Sequence, residues 1–197
     1  LGVHWIYDTD ELTQKHGRIT HYKAPGGDSY HPHKQAGDQG HVGDQAFCLL
    51  KFLTKEKTWN SSHFMDHWLG MWPDYNDYID GATKSTLAQA QNQTDKTQAG
   101  SDSVEIAGPA RIAPLVAFLS NSSENEVVNA AVEQTMLTHR SKEAEESATF
   151  LAKAGYRLVH GASLLDTIKE TAPEWALQSA NSVLSQNAAE AIAKLGP

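Results

Sequence analysis

The sequence predicts an all-α protein. From residue 109 onward it reads as amphipathic helices with few interruptions, and in no stretch do apolar and polar residues alternate as in a half-buried strand. No segment repeats at a fixed period. With 197 residues, 40% of them hydrophobic, the chain is long enough for a real core. We therefore expect one all-α domain over residues 1–197.

The first half predicts loops followed by three helices. Residues 1–43 are rich in turn signals and leave room only for short regular pieces. At Asp44 an apolar-periodic helix begins, with Phe47, Leu50 and Leu53 on its core-facing stripe. A second helix is capped at Ser61 or Ser62 and ended by Pro73. Residues 77–91 predict a short third helix, and 92–103 a polar loop.

The second half predicts four more helices. "PARIAPLVAFLS" is short and apolar, and the next helix opens with a capping box of Ser123 and Glu126. The helix after that carries small and apolar residues at helical spacing and ends at Gly161, a residue suited to a C-cap; the spaced residues are Ala144, Ala148, Leu151, Ala154 and Leu158. The last helix is predicted to start with Pro173 at its first position.

Charge and composition exclude several function classes. The formal net charge of −8 argues against a nucleic-acid partner, because such a chain does not neutralise phosphates. No apolar run approaches the roughly 20 residues of a membrane span. Cys48, the one cysteine, lies in an apolar run and reads as a small buried hydrophobe. A chain that cannot form an internal disulfide suits a reducing compartment, so we expect a cytoplasmic location.

The histidines are the first candidates for chemistry. Eight of the ten lie within the first 67 residues, and we expect a partly exposed cluster in loops. His63 and His67 share the spacing of H-E-x-x-H zinc enzymes, but Phe64 stands where the general base belongs. Nucleophile-elbow and phosphate-loop motifs are absent from the sequence, so a serine hydrolase and a P-loop enzyme are discarded.

Acidic residues give a second candidate site. Asp44 at a helix start is either a cap or a ligand for Mg²⁺, a cation that prefers oxygen ligands. Asp102 and Ser103 come just before a glycine-bearing turn that enters a helix, a place that favours anions. Arg111 can then clamp a phosphate or form a surface salt bridge.

Several segments in order resemble the ADP-ribosylglycohydrolase family. They are "HWIYD" at residues 4–8, "GDQAFCLL" at 43–50, "AGPARIAPLV" at 107–116 and "MLTH" at 136–139. The tryptophan-containing first segment and the Gly-Asp-Gln variant are most similar to the branch of jellyfish J-crystallins and selenoprotein J. The resemblance spans nearly the whole chain and implies an orthogonal helical bundle around a cleft.

The resemblance implies that active members hold two Mg²⁺ ions with a Thr-Asp-Asp-Thr motif and a later Gly-Asp-x-Asp-Thr motif. It also implies that metal-bound water cleaves ADP-ribosyl bonds in those members. Here the first motif reads Gly43-Asp44-Gln45-Ala46, with a neutral amide at the second acidic position, and the later motif is not found. The resemblance places Asp44 and Gln45 at the metal position. It also assigns an ADP-ribose-like ligand to Ser101, Asp102, Ser103, Gly108, Arg111 and His139.

The favoured interpretation is a non-catalytic, structural protein that has lost its Mg²⁺ and serves in a crystallin-like role or in a larger protein assembly. The alternative is a Mg²⁺-dependent hydrolase of ADP-ribosyl or related glycosidic bonds, and a pure binding module lies between them. We expect the domain to be incomplete at both ends and its partners to include neither nucleic acid nor a membrane. His139 also suits a helix C-terminus, where an imidazolium meets the dipole favourably.

Overall fold

The computed structural model describes residues 8–26 and 29–178, and all regular structure in these ranges is helical. Extended pairing there is limited to a single parallel bridge between Ser101 and His139. The all-α prediction is confirmed. The α-helices are α1 Thr9–His16, α2 His41–Glu56, α3 Ser61–Leu69, α4 Gly81–Ala90, α5 Ala113–Phe118, α6 Glu124–Met136, α7 Lys142–Val159 and α8 Leu164–Gln178, with short 3₁₀ turns at Lys96–Gln98 and Pro109–Arg111.

Local signals set several helix ends as predicted. The Ser123 hydroxyl accepts from the Glu126 amide at 3.3 Å, and Glu126 Oε2 accepts from the Ser123 amide at 2.8 Å, so the capping box of α6 is confirmed. Beyond the end of α7, Gly161 has a φ of 87°, a conformation that glycine adopts without steric cost. The predicted glycine stop of α7 is confirmed.

Three predicted helix starts are wrong. Helix α2 begins at His41 with Gly40 as N-cap, so Asp44 lies in its first turn. Asn60, whose side chain accepts from the His63 amide, caps α3 in place of Ser61 or Ser62. Helix α8 begins at Leu164 and runs through Pro173. Two stretches lie outside the described residues: 1–7, which contains most of the "HWIYD" segment, and 179–197.

The core-facing side of α2 also differs from the prediction. Phe47 and Leu50 are exposed, at 47% and 41%, while Cys48, Leu49, Phe52 and Leu53 are buried. Both sets are spaced as a helical stripe, and α2 packs against α3 and α5 through the second one. Phe47 and Leu50 are therefore surface residues, whereas Leu53 lies in the core as expected.

Two clusters form the interior. The larger one joins α2 to α3 and to the segment that follows α3, with Leu49, Phe52, Met65 and Trp68 among its members. The smaller one joins α5, α6 and α7. Helix α7 contributes Ala152 to this cluster. It also buries Ala148, and small residues of this kind allow the helices a close approach.

The residues at helical spacing on α7 are not all buried. Leu151 and Leu158 are each 38% exposed, whereas Ala144 and Ala148 are buried. Within the described ranges, no helix combines the length and apolar character needed to cross a membrane.

Candidate functional site

Asp44 is not the cap of α2. Its Oδ2 accepts from the Lys34 ammonium at 2.6 Å and from the Tyr75 hydroxyl at 2.9 Å. The ion pair is partly open to solvent, with the Asp44 side chain 24% exposed. Burial, and then the hydrogen bond to Asp44, raise the pKa of Tyr75, so this hydroxyl stays a donor. Asp44 is thus held by two side chains of the protein itself.

A groove of about 590 Å³ lies beside this ion pair, between α2 and the region after α3. We call it the Asp44 groove and define it by six of its lining residues, which are Asp44, Phe47, Lys51, Met71, Asp74 and Tyr75. Cys48 also contributes to its wall, and burial raises the pKa of this thiol to about 11. The thiol is therefore protonated and unreactive near neutral pH.

Gln45 lies on the opposite side of the same helical turn. Successive residues on an α-helix are about 100° apart, so Gln45 turns into the core, where it is 1% exposed. Its Oε1 accepts from Trp68 Nε1 at 2.8 Å and from Arg111 Nη1, and its Nε2 lies 3.5 Å from Thr83 Oγ1. The amide at the second acidic position of the motif therefore binds protein donors.

Arg111 is an interior residue. Only 2% of it is exposed, and its guanidinium donates to Gln45 Oε1, Thr138 Oγ1 and the Gly108 carbonyl. No carboxylate of the described residues forms an ion pair with it. Burial lowers its pKa to about 10, which leaves it charged at neutral pH. The surface salt bridge considered for Arg111 is wrong, and its donors serve neutral oxygens of the protein.

His139 completes this interior set and is fully buried. Its Nδ1 is 2.9 Å from Thr138 Oγ1, and a Cβ placed on Gly108 would lie 2.8 Å from the same nitrogen. Burial and the neighbouring Arg111 cation lower its pKa to about 4. The interpretation as a charged helix C-cap is therefore wrong, because this imidazole is neutral at pH 7. We refer to Gln45, Trp68, Arg111, Thr138 and His139 as the Gln45–Arg111 cluster.

The loop before Gly108 meets this cluster through its backbone. The Ser101 amide and hydroxyl both donate to the Thr138 carbonyl, at 3.0 Å and 2.8 Å. The Ser103 carbonyl accepts from Ser141 Oγ at 2.9 Å, and Ser103 Oγ accepts from the Glu105 amide. Asp102 is exposed. The structure thus brings five of the six predicted ligand-binding residues into one region, and their role toward an ADP-ribose-like ligand stays a prediction.

Two buried histidine–aspartate pairs are absent from the sequence prediction. His41 Nε2 lies 2.8 Å from Asp80 Oδ2, and His31 Nδ1 lies 3.3 Å from Asp77 Oδ1. The expected exposed histidine cluster is wrong for His31 and His41, which are both buried. Burial opposes ionisation of Asp80, but hydrogen bonds from His41 and Thr83 keep the pKa of this carboxyl below its usual range.

A signal for one of these pairs exists in the sequence. Asp80 directly precedes a helix and accepts from the Thr83 amide at 2.6 Å, so it is the N-cap of α4. An aspartate at such a position is recognisable from sequence. Its second partner, His41, is 39 residues away, and that contact requires the tertiary fold.

The residues at the motif do not fit a Mg²⁺ site. Such a cation needs several converging oxygen ligands, whereas Asp44 faces the groove and Gln45 faces the core. One oxygen of Asp44 already accepts from an ammonium group, and the Gln45 oxygen already accepts two N–H groups. Across residues 8–26 and 29–178, no three His, Cys, Asp or Glu side chains are grouped to hold a metal ion.

Comparison with known proteins gives one match. The model of a family described as ADP-ribosylglycohydrolase matches residues 1–196. A search of curated proteins found no match, and a search of solved structures found none either.

Proposed function

This chain belongs to the ADP-ribosylglycohydrolase family, and from that premise we propose that it is a non-catalytic member. Its proposed role is structural, either crystallin-like or as a fixed component of a larger protein assembly. The proposed branch is that of the J-crystallins and selenoprotein J, on the strength of the "HWIYD" segment and the Gly-Asp-Gln variant.

One observation carries the proposal. Both residues at the metal-binding motif are engaged by side chains of the protein, Asp44 by Lys34 and Tyr75, and Gln45 by Trp68 and Arg111. A metal-dependent hydrolase needs these positions open, because the metal supplies its activated water. In this chain an ammonium group and a guanidinium group provide the positive charge beside the motif.

Composition supports the remainder of the proposal. The net charge of −8 favours solubility at high concentration and opposes binding to nucleic acid. Exposed Phe47 and Leu50 on α2 offer apolar area to a protein partner. The single cysteine, which is buried, suits the proposed cytoplasmic location.

An activity assay tests the proposal. The purified protein is incubated with ADP-ribosylated proteins and small molecules, in Mg²⁺ or in EDTA, beside an active family member as positive control. We expect no hydrolysis in either condition. The Asp44→Asn variant is paired with Asp74→Asn, which alters an exposed carboxylate of the same groove. Hydrolysis that is abolished by EDTA and by Asp44→Asn, but not by Asp74→Asn, would overturn the proposal.

The second candidate is a Mg²⁺-dependent hydrolase of ADP-ribosyl or related glycosidic bonds. The Asp44 groove favours it, because about 590 Å³ lies within the usual range of ligand pockets, roughly 300–1,000 Å³. The groove also suits a module that binds an ADP-ribose-like ligand without cleaving it. Binding of ADP-ribose that is insensitive to EDTA and unaccompanied by turnover would favour that binding module.

A further inference from the structure

A short turn at residues 31–34, which we call the His31–Lys34 turn, connects α2 to the segment before α4. The Lys34 N–H donates to the His31 carbonyl at 3.3 Å and closes the turn. His31, at one end, lies against Asp77 in the segment before α4, and Lys34, at the other end, binds Asp44 on α2. A displacement of His31 therefore also displaces Lys34.

The turn restricts access to Asp44. Lys34 and Asp44 both line the Asp44 groove, and the ammonium group covers one oxygen of the carboxylate. We infer that the His31–Lys34 turn acts as a latch on the groove, in place at neutral pH and released by acid. Uptake of a proton by His31 detaches the turn from Asp77 and withdraws Lys34 from Asp44, which opens that carboxylate to the groove. The inference does not depend on whether the protein is an enzyme.

The surroundings of His31 oppose a charged imidazole. Its side chain is 0% exposed and that of Asp77 is 3% exposed, and a charge removed from water is unfavourable unless it is well paired. The contact between the two, at 3.3 Å, is long for a charge-assisted hydrogen bond. Burial is the main cause that lowers the pKa of His31, and Asp77 acts in the opposite direction. His31 is therefore neutral in the latched arrangement at pH 7.

A second imidazole adds to this opposition. The rings of His31 and His41 are stacked, with centroids 6.3 Å apart, and like charges at such a distance repel each other. Both His41 and Lys34 oppose a charge on His31. The titratable and charged groups around the two imidazoles are Lys34 on the turn, Asp77, Tyr78 and Asp80 at the start of α4, and Arg111, which interacts with Asp80 from the core. Of these groups, Asp77 is the one that favours a charged His31.

The direction of the pH effect follows from proton linkage. In a released turn His31 is open to water and has the ordinary pKa of about 6.5, whereas its pKa is lower in the latched turn. The released arrangement therefore binds more protons as the pH falls below 6.5, and acid shifts the equilibrium toward release. Above pH 6.5 the imidazole is neutral in both arrangements, so the turn stays latched.

Carbodiimide labelling of carboxylates with glycine ethyl ester, followed by mass spectrometry, tests the inference. The labelling of Asp44 is divided by that of Asp74, an exposed carboxylate of the same groove, which corrects for the effect of pH on the reagent. Between pH 7 and pH 5, with the far-UV circular dichroism unchanged, the ratio should rise about fivefold, as expected when a partly exposed ion pair is lost. Lys34→Met at pH 7 gives the ratio for a groove without this ion pair.

Two variants assign the pH effect to one histidine. In His31→Gln the amide fills similar space and can donate to Asp77, but it takes up no proton, so the ratio should not change with pH. His33→Gln alters an exposed histidine of the same turn and is the matched control. It should keep the pH dependence of the natural chain. The ¹H–¹³C signal of the His31 imidazole in the natural chain should titrate with the same midpoint as the labelling ratio, which gives a check without any substitution at this position.

Any one of three results would overturn the inference. The first is a ratio that stays constant or falls between pH 7 and pH 5 in the natural chain. The second is a rise that persists in His31→Gln or disappears in His33→Gln, because either outcome assigns the effect to another group. The third is a His31 imidazole signal whose midpoint differs from that of the labelling ratio.

Discussion

Asp44 and Gln45 are neighbours in the chain but belong to two different regions. In the Asp44 groove, the ion pair with Lys34 is partly exposed, with side-chain exposures of 24% and 17%. In the Gln45–Arg111 cluster, Gln45 and Arg111 are almost fully buried. Water competes with the first set of contacts and is excluded from the second. The same two-residue motif therefore contributes little to stability through one residue and much through the other.

The largest effect is expected from Gln45→Leu. Leucine fills similar space but removes the oxygen that accepts from Trp68 and Arg111, which leaves a buried cation poorly compensated. Leaving a buried charged donor without its acceptor costs about 3 kcal/mol, and urea-induced unfolding measures the loss. Asp44→Asn, in the same helical turn, is the control. A loss below about 1 kcal/mol, the size of a typical net hydrogen bond, would mean that the cluster does not depend on Gln45.

The second largest effect that distinguishes the two regions is the pH dependence of stability. The pKa of His139 is about 4 in the folded protein, against about 6.5 in an unfolded chain. The unfolded chain therefore binds more protons between these values, and the free energy of unfolding should fall as the pH drops from 6.5 to 4, by roughly 3 kcal/mol at most. The lowered pKa of His31 acts in the same direction.

Urea unfolding at several pH values measures this slope, and the His139→Leu variant should flatten it. Part of the slope should remain in this variant, because the pKa of His31 is also lowered in the folded protein. Below pH 4 stability should fall further, because the carboxyl of Asp80 has a lowered pKa and its stabilising contribution is lost on protonation. An unchanged slope between pH 6.5 and 4 in His139→Leu would contradict the assignment of a neutral buried imidazole.

A smaller effect is expected from Gln45→Glu, which offers Arg111 a carboxylate. At pH 7 the variant should lie within about 1 kcal/mol of the natural chain, because the new ion pair offsets the buried charge. Its stability should fall more steeply below pH 5, since pairing with Arg111 lowers the pKa of the new carboxyl. A loss at pH 7 as large as that of Gln45→Leu would show that the cluster requires the neutral amide.

The smallest effects belong to the Asp44 groove. Lys34→Met and Asp44→Asn should each cost about 1 kcal/mol, the upper end of the range for exposed ion pairs, because this pair is only partly open to water. The thermal midpoint, measured at low and high salt, checks this, and Tyr75→Phe isolates the hydroxyl that also binds Asp44. A loss of several kcal/mol in Asp44→Asn would mean that the two regions do not differ in their contribution to stability.

The parts of the fold that were predictable from the sequence are those set by local signals. The capping box of Ser123 and Glu126, and the left-handed Gly161, depend on residues a few positions away. The face of α2 was not predictable in the same way, because Phe47 and Leu50 form as regular a stripe as Leu49 and Phe52. Only the position of α3 and α5 decides which stripe is buried.

The candidate site was less predictable than the fold. Gln45 and Arg111 are 66 residues apart, and Trp68 and Gln45 are 23 apart, so no local pattern reveals that they meet. Periodicity also assigns apolar side chains to the interior, whereas this cluster buries an amide and a guanidinium. The sequence did single out Asp44, Arg111 and His139, but their partners emerge only from the tertiary contacts.

Calorimetric titration of the protein with Mg²⁺ tests the central claim most directly, with Asp44→Asn and Asp74→Asn titrated in parallel. If Lys34 and Arg111 provide the positive charge at the motif, no saturable heat should depend on Asp44, and Mg²⁺ should not change the thermal midpoint. Saturable binding that is lost in Asp44→Asn and kept in Asp74→Asn would show that Mg²⁺ displaces Lys34, and would contradict the account.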